Sequence, residues 1–355
     1  VLGQGGFGIT YLARDTNLNI EVAIKEYLPT EFAVREIDST VMPSSDEVLD
    51  SYAWGRERFL DEARLFASFD HPAIVRVHTF LEANNTAYMV MRFEHGASLK
   101  HWFRKREFNE DELLDVLHII MDGVEVLHQR DVIHRDIKPD NIYVGADSKP
   151  VLLDFGSARH ALGGATKNVT SMVSGGYSAP EQYGTDAASQ GPWTDIYSLA
   201  ATIYFGMVGR APLDAMDRSQ RHLSNAGDDY VPLHSIVGDA YSSAFCAAID
   251  HGLVLRREDR PQSIAEWRRE MPPPPNAEHH WTDNLDDEAP TRLPDQITAT
   301  GASSSEQAAR TGVTTNTSST TSSTTSVTVT INQNHMLMLA AVGVLILATV
   351  GAAFY

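Results

Sequence analysis

The segment HRDIKPDN, residues His134–Asn141, follows an apolar helical pattern and places an Arg, two Asp, a Lys and an Asn within seven residues. Charges this dense usually lie on a solvated surface, and single Asp or Asn residues most often serve as turn residues or helix caps. The alternative is a catalytic loop, in which the same carboxylates and amide act together on one substrate. The rest of the sequence decides between these two interpretations.

Oxygen-bearing side chains recur in an order that suits phosphoryl transfer. Asp136 and Asn141 lie in this segment, and Asp154 ends the apolar run of LLDFG, ahead of a glycine. Phosphoryl transfer needs a carboxylate that accepts the hydroxyl proton, oxygen ligands for Mg²⁺ and cations on the phosphates. Asp136 is therefore a candidate base, and Asn141 and Asp154 are candidate metal ligands. Lys138 is a candidate cation for the transferred phosphoryl group.

A glycine-rich segment, GQGGFG at Gly3–Gly8, has the G-x-G-x-x-G spacing of a nucleotide-binding turn. A dinucleotide fold continues from this turn into a helix, whereas here the pattern is strand, turn and strand, ending in VAIK at Val22–Lys25. Glycines in a hairpin let backbone N–H groups approach a polyphosphate, and a lysine ammonium pairs with its oxygens. Glu62 is the candidate anion for Lys25, although spacing alone leaves open that both are unrelated surface charges.

The periodicity of the apolar residues predicts strands first and helices second. Strands are expected around the glycine-rich turn and on both sides of the turn Asn84–Asn85. A helix is expected over Glu57–Phe69, and beyond Gly96 broad apolar stripes predict a mostly helical region. This order indicates an α+β fold in two lobes, with a β-rich N-lobe over about residues 1–95 and a helical C-lobe over about 96–271.

Taken in order, these motifs resemble the signature set of the protein kinase superfamily, which is completed by APE at Ala179–Glu181. The resemblance covers residues 1–271. GQGGFGITYLARD, VAIKEYLP and GYSAPEQY are similar to the membrane-anchored serine/threonine kinases of bacteria, as is an insertion over residues 27–56. The resemblance implies a bilobal protein kinase fold, whose first strand is expected to be clipped because the chain begins two residues before Gly3.

The same resemblance assigns catalytic and nucleotide-binding roles. Lys25 would hold the α- and β-phosphates of ATP and pair with Glu62, and Asp136 would be the catalytic base. Asn141 and Asp154 would bind Mg²⁺, or alternatively Mn²⁺. The residues expected around ATP are Leu2, Gly3, Gly5, Gly6, Gly8, Thr10, Ala23, Lys25, Met91, Arg92, Phe93 and Glu94.

Further residues are expected to support the site. Asp195 would anchor the catalytic loop, and Glu181 would pair with Arg260. The residues with implied structural roles are Arg135, Ser174, Glu181, Asp195 and Arg260. An apolar spine between the lobes would consist of Phe66, Val77, His134 and Phe155.

Two positions depart from the kinase pattern without removing a catalytic group. Thr10 stands where a valine usually packs on the adenine, and its β-branched side chain is close to isosteric. Ser174 stands where the family usually has threonine, and it keeps a hydroxyl that is expected to bridge Asp136 and Lys138. Lys138 itself is typical of kinases directed at serine and threonine.

Arg135, directly before the expected catalytic base, implies control by phosphorylation of the activation loop, because a phosphate neutralises this cation and orders the loop. The loop is expected over Ser157–Ser178. Its candidate phosphosites are Thr166, Thr170 and Ser171, of which the last two are favoured. The alternative is that these hydroxyls only serve a flexible loop.

The composition changes after residue 271. Residues 272–335 are rich in Pro, Ser, Thr, Ala and Asp and are expected to form a disordered linker, because they bury too little apolar surface to offset the cost of ordering. Met336–Tyr355 carry no charge, and this run at about 1.5 Å per residue reaches roughly 30 Å, the thickness of a bilayer's hydrocarbon core. A buried core helix is the alternative, but the surrounding chain offers nothing to cover it. One transmembrane helix is therefore expected.

Charge and context complete the expectations. The formal net charge of −19 argues against nucleic acid as the main partner, and the lone Cys246 provides neither a disulfide framework nor a zinc site.

Because ATP is cytoplasmic, the kinase domain is expected on the cytoplasmic side of the inner membrane of the cell, attached by a single pass. Since the chain begins at Val1 rather than Met, it is expected to be a fragment. The resemblance also suggests a homodimer.

The favoured function is an ATP-dependent, non-specific serine/threonine protein kinase that phosphorylates protein hydroxyls, including those of its own activation loop. One alternative is a pseudokinase, a membrane-tethered binding module without turnover. Its usual marks are the loss of Lys25, Asp136 or Asp154, all of which are present. A second alternative, a small-molecule kinase on a related fold, is disfavoured by the APE segment and Lys138, which serve peptide substrates.

Overall fold

The computed structural model describes residues 1–145, 148–154, 173–184, 187–224, 228–273 and 329–330. It has two lobes, which confirms the predicted α+β arrangement, with strands dominating up to Arg92 and helices from Leu99 onward. The strands are β1 (Gly3–Gly5), β2 (Gly8–Asp15), β3 (Ile20–Tyr27), β4 (Ala33–Arg35), β5 (Val41–Pro43), β6 (Val77–Ala83), β7 (Thr86–Arg92), β8 (Gly96–Ser98), β9 (Ile142–Gly145), β10 (Pro150–Leu152) and β11 (Val329–Thr330). The helices are α1 (Leu49–Ala67), α2 (Leu99–Lys105), α3 (Glu110–His128), α4 (Pro192–Val208), α5 (Ala215–Leu223), α6 (Leu233–Val237), α7 (Ser243–Gly252) and α8 (Ile264–Arg268).

The N-lobe is an antiparallel sheet with the strand order β1-β2-β3-β7-β6. Because side chains alternate between the faces of a strand, β3 turns Val22 and Ile24 to one face and Ala23 and Lys25 to the other. Val22, Ala23 and Ile24 are all buried, so both faces of β3 are covered. The turn between β6 and β7 has Asn84 and Asn85 at φ 51° and 56°, the left-handed conformation that favours asparagine in a tight hairpin.

Helix α1 begins earlier than the sequence predicts, at Leu49 instead of Glu57, and it ends at Ala67. Its added turns contain Gly55, which disfavours a helix locally. Tertiary packing compensates, because Tyr52 is buried and its ring lies against that of Tyr27 with centroids 5.4 Å apart. The predicted insertion over residues 27–56 includes the last residue of β3 and residues 49–56 of α1. Residues 28–48, which connect β3 at Tyr27 to α1 at Leu49, are here called the inserted segment.

The C-lobe is built around helices α3, α4 and α7. The first turn of α3 is stabilised by a capping box, in which Asn109 and Glu112 each accept a hydrogen bond from the other's backbone N–H. Helix α4 is buried along most of its length, and Trp267 of α8 donates from its indole to the carbonyl of Ala248 on α7 at 2.8 Å. A small sheet with the order β10-β9-β8 completes this lobe. Leu152 of β10 exchanges two backbone hydrogen bonds with residues 73–75, which lead into β6 and so join the lobes.

The segment beyond residue 271 is described only at Pro272, Pro273 and β11. The two residues of β11 pair with Asp15 and Arg14 of β2, so this point of the predicted linker forms a strand. Among the described residues, no helix is long and apolar enough to cross a bilayer. The predicted span, residues 336–355, lies outside them.

Gly8 is required by a close approach of two backbones. A Cβ at Gly8 would lie 2.0 Å from the carbonyl oxygen of Glu26, whereas a Cβ at Gly6 would meet nothing within 4 Å. Gly8→Ala should therefore lower the free energy of unfolding by about 1–3 kcal/mol, because a backbone oxygen of β3 has to move. Gly6→Ala should not lower the free energy of unfolding, because alanine fits at this position and reduces the conformational entropy of the unfolded chain. Thermal unfolding of the two variants measures the contrast, and equal stability would contradict the prediction.

Candidate active site

The catalytic loop is held in an unusual backbone conformation, with Arg135 at φ 71° and a short 3₁₀ turn at Pro139–Asn141. Asp136 is buried at its centre. Lys138 Nζ lies 3.0 Å from both carboxylate oxygens of Asp136, and Asn141 Nδ2 donates to its Oδ2 at 2.8 Å. The Ser174 hydroxyl donates to Asp136 Oδ1 at 2.9 Å and accepts from Lys138 Nζ at 3.0 Å. The structure thus brings these four predicted residues into one hydrogen-bonded cluster.

Asp195, in the first turn of α4, anchors this loop from the C-lobe. Its two carboxylate oxygens accept hydrogen bonds from the backbone N–H groups of His134 and Arg135, each at 2.8 Å. His128 Nε2 lies 2.8 Å from the same carboxylate. Burial by itself raises the pKa of Asp195, but the hydrogen bond and charge of His128 outweigh it, so the pKa lies below its usual range. The ionised carboxylate therefore fixes the backbone that presents Asp136.

Lys25 lies within a set of carboxylates. Its ammonium is 2.9 Å from Asp154 Oδ1, and Glu62 on α1 is buried nearby. Burial lowers the pKa of Lys25, but the charges of Asp154 and Glu62 outweigh this effect and raise it. Lys25 is therefore a cation held at the junction of β3, α1 and Asp154.

A cavity of about 660 Å³ opens between the lobes beside these residues. Among the predicted nucleotide-binding residues, those that line it are Leu2, Gly3, Thr10, Ala23, Met91, Arg92, Phe93 and Glu94, together with the predicted metal ligands Asn141 and Asp154. The described lining does not include Gly5, Gly6, Gly8 or Lys25. The volume and the mixed apolar and polar lining suit a nucleotide-sized ligand.

Sequence reasoning missed several residues of this cavity, above all Tyr143, but also Val75 and Leu153. Tyr143 lies on β9, between Ile142 and Val144, and both of these neighbours are fully buried. Because side chains alternate between the two faces of a strand, Tyr143 points away from the core that buries its neighbours, so the apolar alternation of β9 could have identified it. Burial and the charge of Asp154 raise the pKa of Tyr143, which keeps its phenol protonated. Val75 has no comparable local signal.

Asn141 and Asp154 are the oxygen donors that a divalent cation would meet here. The amide nitrogen of Asn141 donates to the backbone and side chain of Asp136, so its amide oxygen is the atom left for a metal. Within the described ranges, no group of three or more His, Cys, Asp or Glu residues could hold a metal by itself. Two oxygen donors beside a nucleotide-sized cavity fit Mg²⁺, which takes its further ligands from substrate phosphates and water.

Glu181 of the APE segment and Arg260 form a bidentate pair. Arg260 Nη1 and Nη2 donate to the two oxygens of Glu181 at 2.9 and 2.8 Å, and both side chains are largely buried. Arg260 also donates to the backbone carbonyls of Trp193, Val254 and Leu255. The pair connects the segment after Ser174 to the start of α4 and the loop before α8.

Arg135 is partly buried, and its enclosed Nε has no hydrogen-bond partner within the part of the chain that the structure describes. Burial lowers the pKa of this guanidinium, against the attraction of Asp195. The candidate phosphosites Thr166, Thr170 and Ser171 lie outside the described residues. Of the predicted apolar spine, Phe66, Val77 and His134 are buried, and Phe155 also lies outside.

Residues 1–261 match the family model described as "Protein kinase domain". The chain belongs to the protein kinase family. Its kinase domain is 33% identical over 224 residues to serine/threonine-protein kinase C of Synechocystis sp., an alignment that covers 59% of this chain and 38% of the relative. It is 32% identical over 229 residues to serine/threonine-protein kinase PrkC of Bacillus subtilis, covering 63% of this chain and 32% of the relative. The chain thus spans only about a third of the length of these two relatives.

Solved structures agree with this assignment. The apo form of PpkA-294 is 36% identical, with a TM-score of 0.69 over 76% of this chain and 93% of that chain. The kinase domain of Mycobacterium tuberculosis PknI, at 21% identity and a TM-score of 0.54 over 76% of this chain and 92% of that chain, is similar in fold. Membership of the kinase family implies, in general terms, the use of ATP, a divalent cation and protein substrates.

Proposed function

We propose that the protein is a serine/threonine protein kinase that transfers the γ-phosphoryl group of ATP to serine and threonine hydroxyls of proteins. One observation carries the proposal. The Ser174 hydroxyl lies 2.9 Å from the Asp136 carboxylate and 3.0 Å from the Lys138 ammonium. A hydroxyl is thus already held between a proton acceptor and a cation, the environment that a substrate hydroxyl needs in order to attack a phosphoryl group.

The roles of the residues follow from this geometry. Asp136 accepts the proton of the attacking hydroxyl, and Lys138 stabilises negative charge on the phosphoryl group as it moves between oxygens. Lys25, which is paired with the cavity-lining Asp154, binds phosphate oxygens of ATP, and Asp154 and Glu62 keep it charged. Asn141 and Asp154 would hold Mg²⁺ or Mn²⁺, which neutralises charge on the β- and γ-phosphates.

The pseudokinase alternative is less well supported. Lys25, Asp136 and Asp154 are all present. Asp154 forms an ion pair with Lys25, and Asp136 forms one with Lys138. A binding module would have no need to hold a serine hydroxyl on a buried carboxylate. Turnover therefore explains the arrangement better than binding alone.

Control by phosphorylation of the activation loop belongs to the same proposal. The Nε of Arg135 is buried and has no hydrogen-bond partner within the described ranges. A phosphate on Thr170 or Ser171, or on Thr166, would supply an anion for this guanidinium and bring the loop onto the catalytic segment. The kinase would then activate itself by phosphorylating one of these hydroxyls.

We further propose that the kinase domain lies in the cytoplasm and is attached to the inner membrane by a single helix at residues 336–355. The uncharged apolar run supports this, and so does the polar segment that separates it from the kinase domain. A homodimer is part of this proposal, since tethered copies meet at a high effective concentration. Cell fractionation tests the anchor: the full chain should sediment with membranes, and a chain that stops at Asn334 should not.

Incubation of the full chain with γ-labelled ATP, Mg²⁺ and casein tests the kinase function. Label should appear on serine and threonine, disappear with EDTA, and be lost in Lys25→Met, which removes the phosphate-binding cation. Lys105→Met is the matched control, because this lysine is exposed on α2, and it should retain the activity. No label from a wild-type protein that still binds ATP would identify a pseudokinase instead.

A further inference from the structure

Glu26 is a buried carboxylate on the strand that carries Lys25. Only 1% of it is exposed, and alternation along β3 places it on the face opposite to Lys25. Its Oε2 accepts hydrogen bonds from the Tyr11 hydroxyl at 2.9 Å and from the Arg35 guanidinium, while Oε1 has no hydrogen-bond partner within the described ranges. A buried carboxylate is costly without a cation. Arg35 supplies that cation.

Arg35 comes from the inserted segment rather than from the sheet. It lies on β4, directly opposite Val41 of β5, and its Nη1 donates to the carbonyl of Ser39 in the turn between the two strands. The hairpin therefore orients its own arginine. Tyr11, the other partner of Glu26, lies on β2 next to Thr10, which lines the cavity. Through Glu26, the inserted segment is tied to β3 and, by way of Tyr11, to β2, the strand that follows the glycine-rich turn.

The same hairpin is tied to helix α1 by a second route. The backbone N–H of Val41 donates to the carbonyl of Asn84, and Asn85 Nδ2 donates to the carbonyl of Val41, both at 2.8 Å. The carbonyl of Asn85 accepts a hydrogen bond from the Tyr52 hydroxyl at 2.7 Å. Tyr52 lies on α1, the helix that carries Glu62. The turn between β6 and β7 thus links the hairpin to this helix.

We propose that the inserted segment, residues 28–48, is a built-in clamp on the active site and that Arg35 is a positioning residue for Lys25 and Glu62. The clamp holds the strand of Lys25 through Glu26 and the helix of Glu62 through Tyr52, so that both approach the nucleotide in a fixed relation. This inference rests on the proposed kinase function. It makes the position of α1 a property of the chain itself, independent of phosphate on the activation loop or of a partner.

The experiment compares the full chain with Arg35→Met, Arg35→Lys, Glu26→Gln/Arg35→Met and the control Arg14→Met. Arg14 is an exposed arginine of the same lobe, whose side chain donates to Asn19 at the far end of the β2–β3 hairpin. Three quantities are measured: the melting temperature, amide hydrogen exchange over residues 49–67 without nucleotide, and KM for ATP with kcat. Arg35→Met should lower the melting temperature, accelerate exchange in α1 about tenfold and raise KM about tenfold. Arg35→Lys should recover most of each change, and Arg14→Met should show none.

The double variant separates positioning from mere neutralisation of a buried charge. Glu26→Gln removes the carboxylate that Arg35→Met leaves unpaired, so the melting temperature should recover. The clamp is still absent, so rapid exchange in α1 and the raised KM should persist. Recovery of all three quantities would overturn the proposal, as would unchanged exchange in α1 of Arg35→Met. If the wild-type chain transfers no phosphate, the kinase function fails, but exchange without nucleotide still decides whether the clamp exists.

Discussion

Asp136→Asn should lower kcat for phosphoryl transfer by about 10²–10⁴-fold, the usual effect of losing a general base. The amide has the shape of the carboxylate but cannot accept the substrate proton, and Lys138 loses the anion that orients it. The described residues that line the cavity do not include Asp136, so the affinity for ATP should hardly change. Steady-state kinetics give kcat, and calorimetric titration with a non-hydrolysable ATP analogue gives the affinity.

Asp131→Asn is the matched control, because it is the same substitution a few residues earlier in the same connection. Asp131 is exposed and has φ 58°, a left-handed conformation that asparagine adopts as readily as aspartate. This variant should keep the wild-type kcat. An Asp136→Asn enzyme with full activity would show that the proton leaves by another route and that Asp136 only positions Lys138 and Ser174.

Arg260→Met should lower the free energy of unfolding by about 3–5 kcal/mol, the cost of leaving a buried ion-pair partner alone. Arg260 is only 2% exposed, and the Glu181 carboxylate that it would abandon is 7% exposed. The variant also removes the donor from three backbone carbonyls, so methionine fills space without replacing any of these hydrogen bonds. Urea unfolding of the C-lobe, followed by tryptophan fluorescence, measures the change.

Two further variants show how much of this loss of stability comes from the buried ion pair. Arg256→Met removes a nearby arginine that is 71% exposed and lies 3.5 Å from Asp259, and it should cost at most about 1 kcal/mol, as usual for surface pairs. Glu181→Gln/Arg260→Met removes the abandoned charge and should recover part of the lost stability. If Arg260→Met cost no more than Arg256→Met, the buried pair would contribute no net stability.

Much of the fold could be predicted because its signals are local. Alternation of apolar residues identified the strands on both sides of Asn84–Asn85, and broad apolar stripes identified helices α3 and α4. The start of α1 could not be predicted in this way, because Gly55 weakens the helical pattern. The turns before Glu57 are stabilised by the contact of Tyr52 with Tyr27, which are far apart in sequence.

In the candidate site, too, the groups within one short motif could be predicted and the contacts between distant segments could not. HRDIKPDN determined which groups could perform phosphoryl transfer, because the carboxylate, the ammonium and the amide lie within one short loop. Val75 could not be predicted, because a cavity wall is assembled from separate segments and has no motif of its own, whereas the alternation along β9 could have identified Tyr143. The ion pair between Lys25 and Asp154 also depends on how closely the two lobes approach each other.

Residue types and short spacings specify the candidate catalytic groups of this protein, the order of its motifs and its division into two lobes. The partners of its buried charges depend instead on how distant parts of the chain pack together. Glu26 and Arg35 look like ordinary surface residues in the sequence, yet the fold buries the carboxylate and brings the arginine of an inserted hairpin to it. Burial and pairing are set by contacts between distant segments, and a buried charge is stable only when those contacts bring its partner to it.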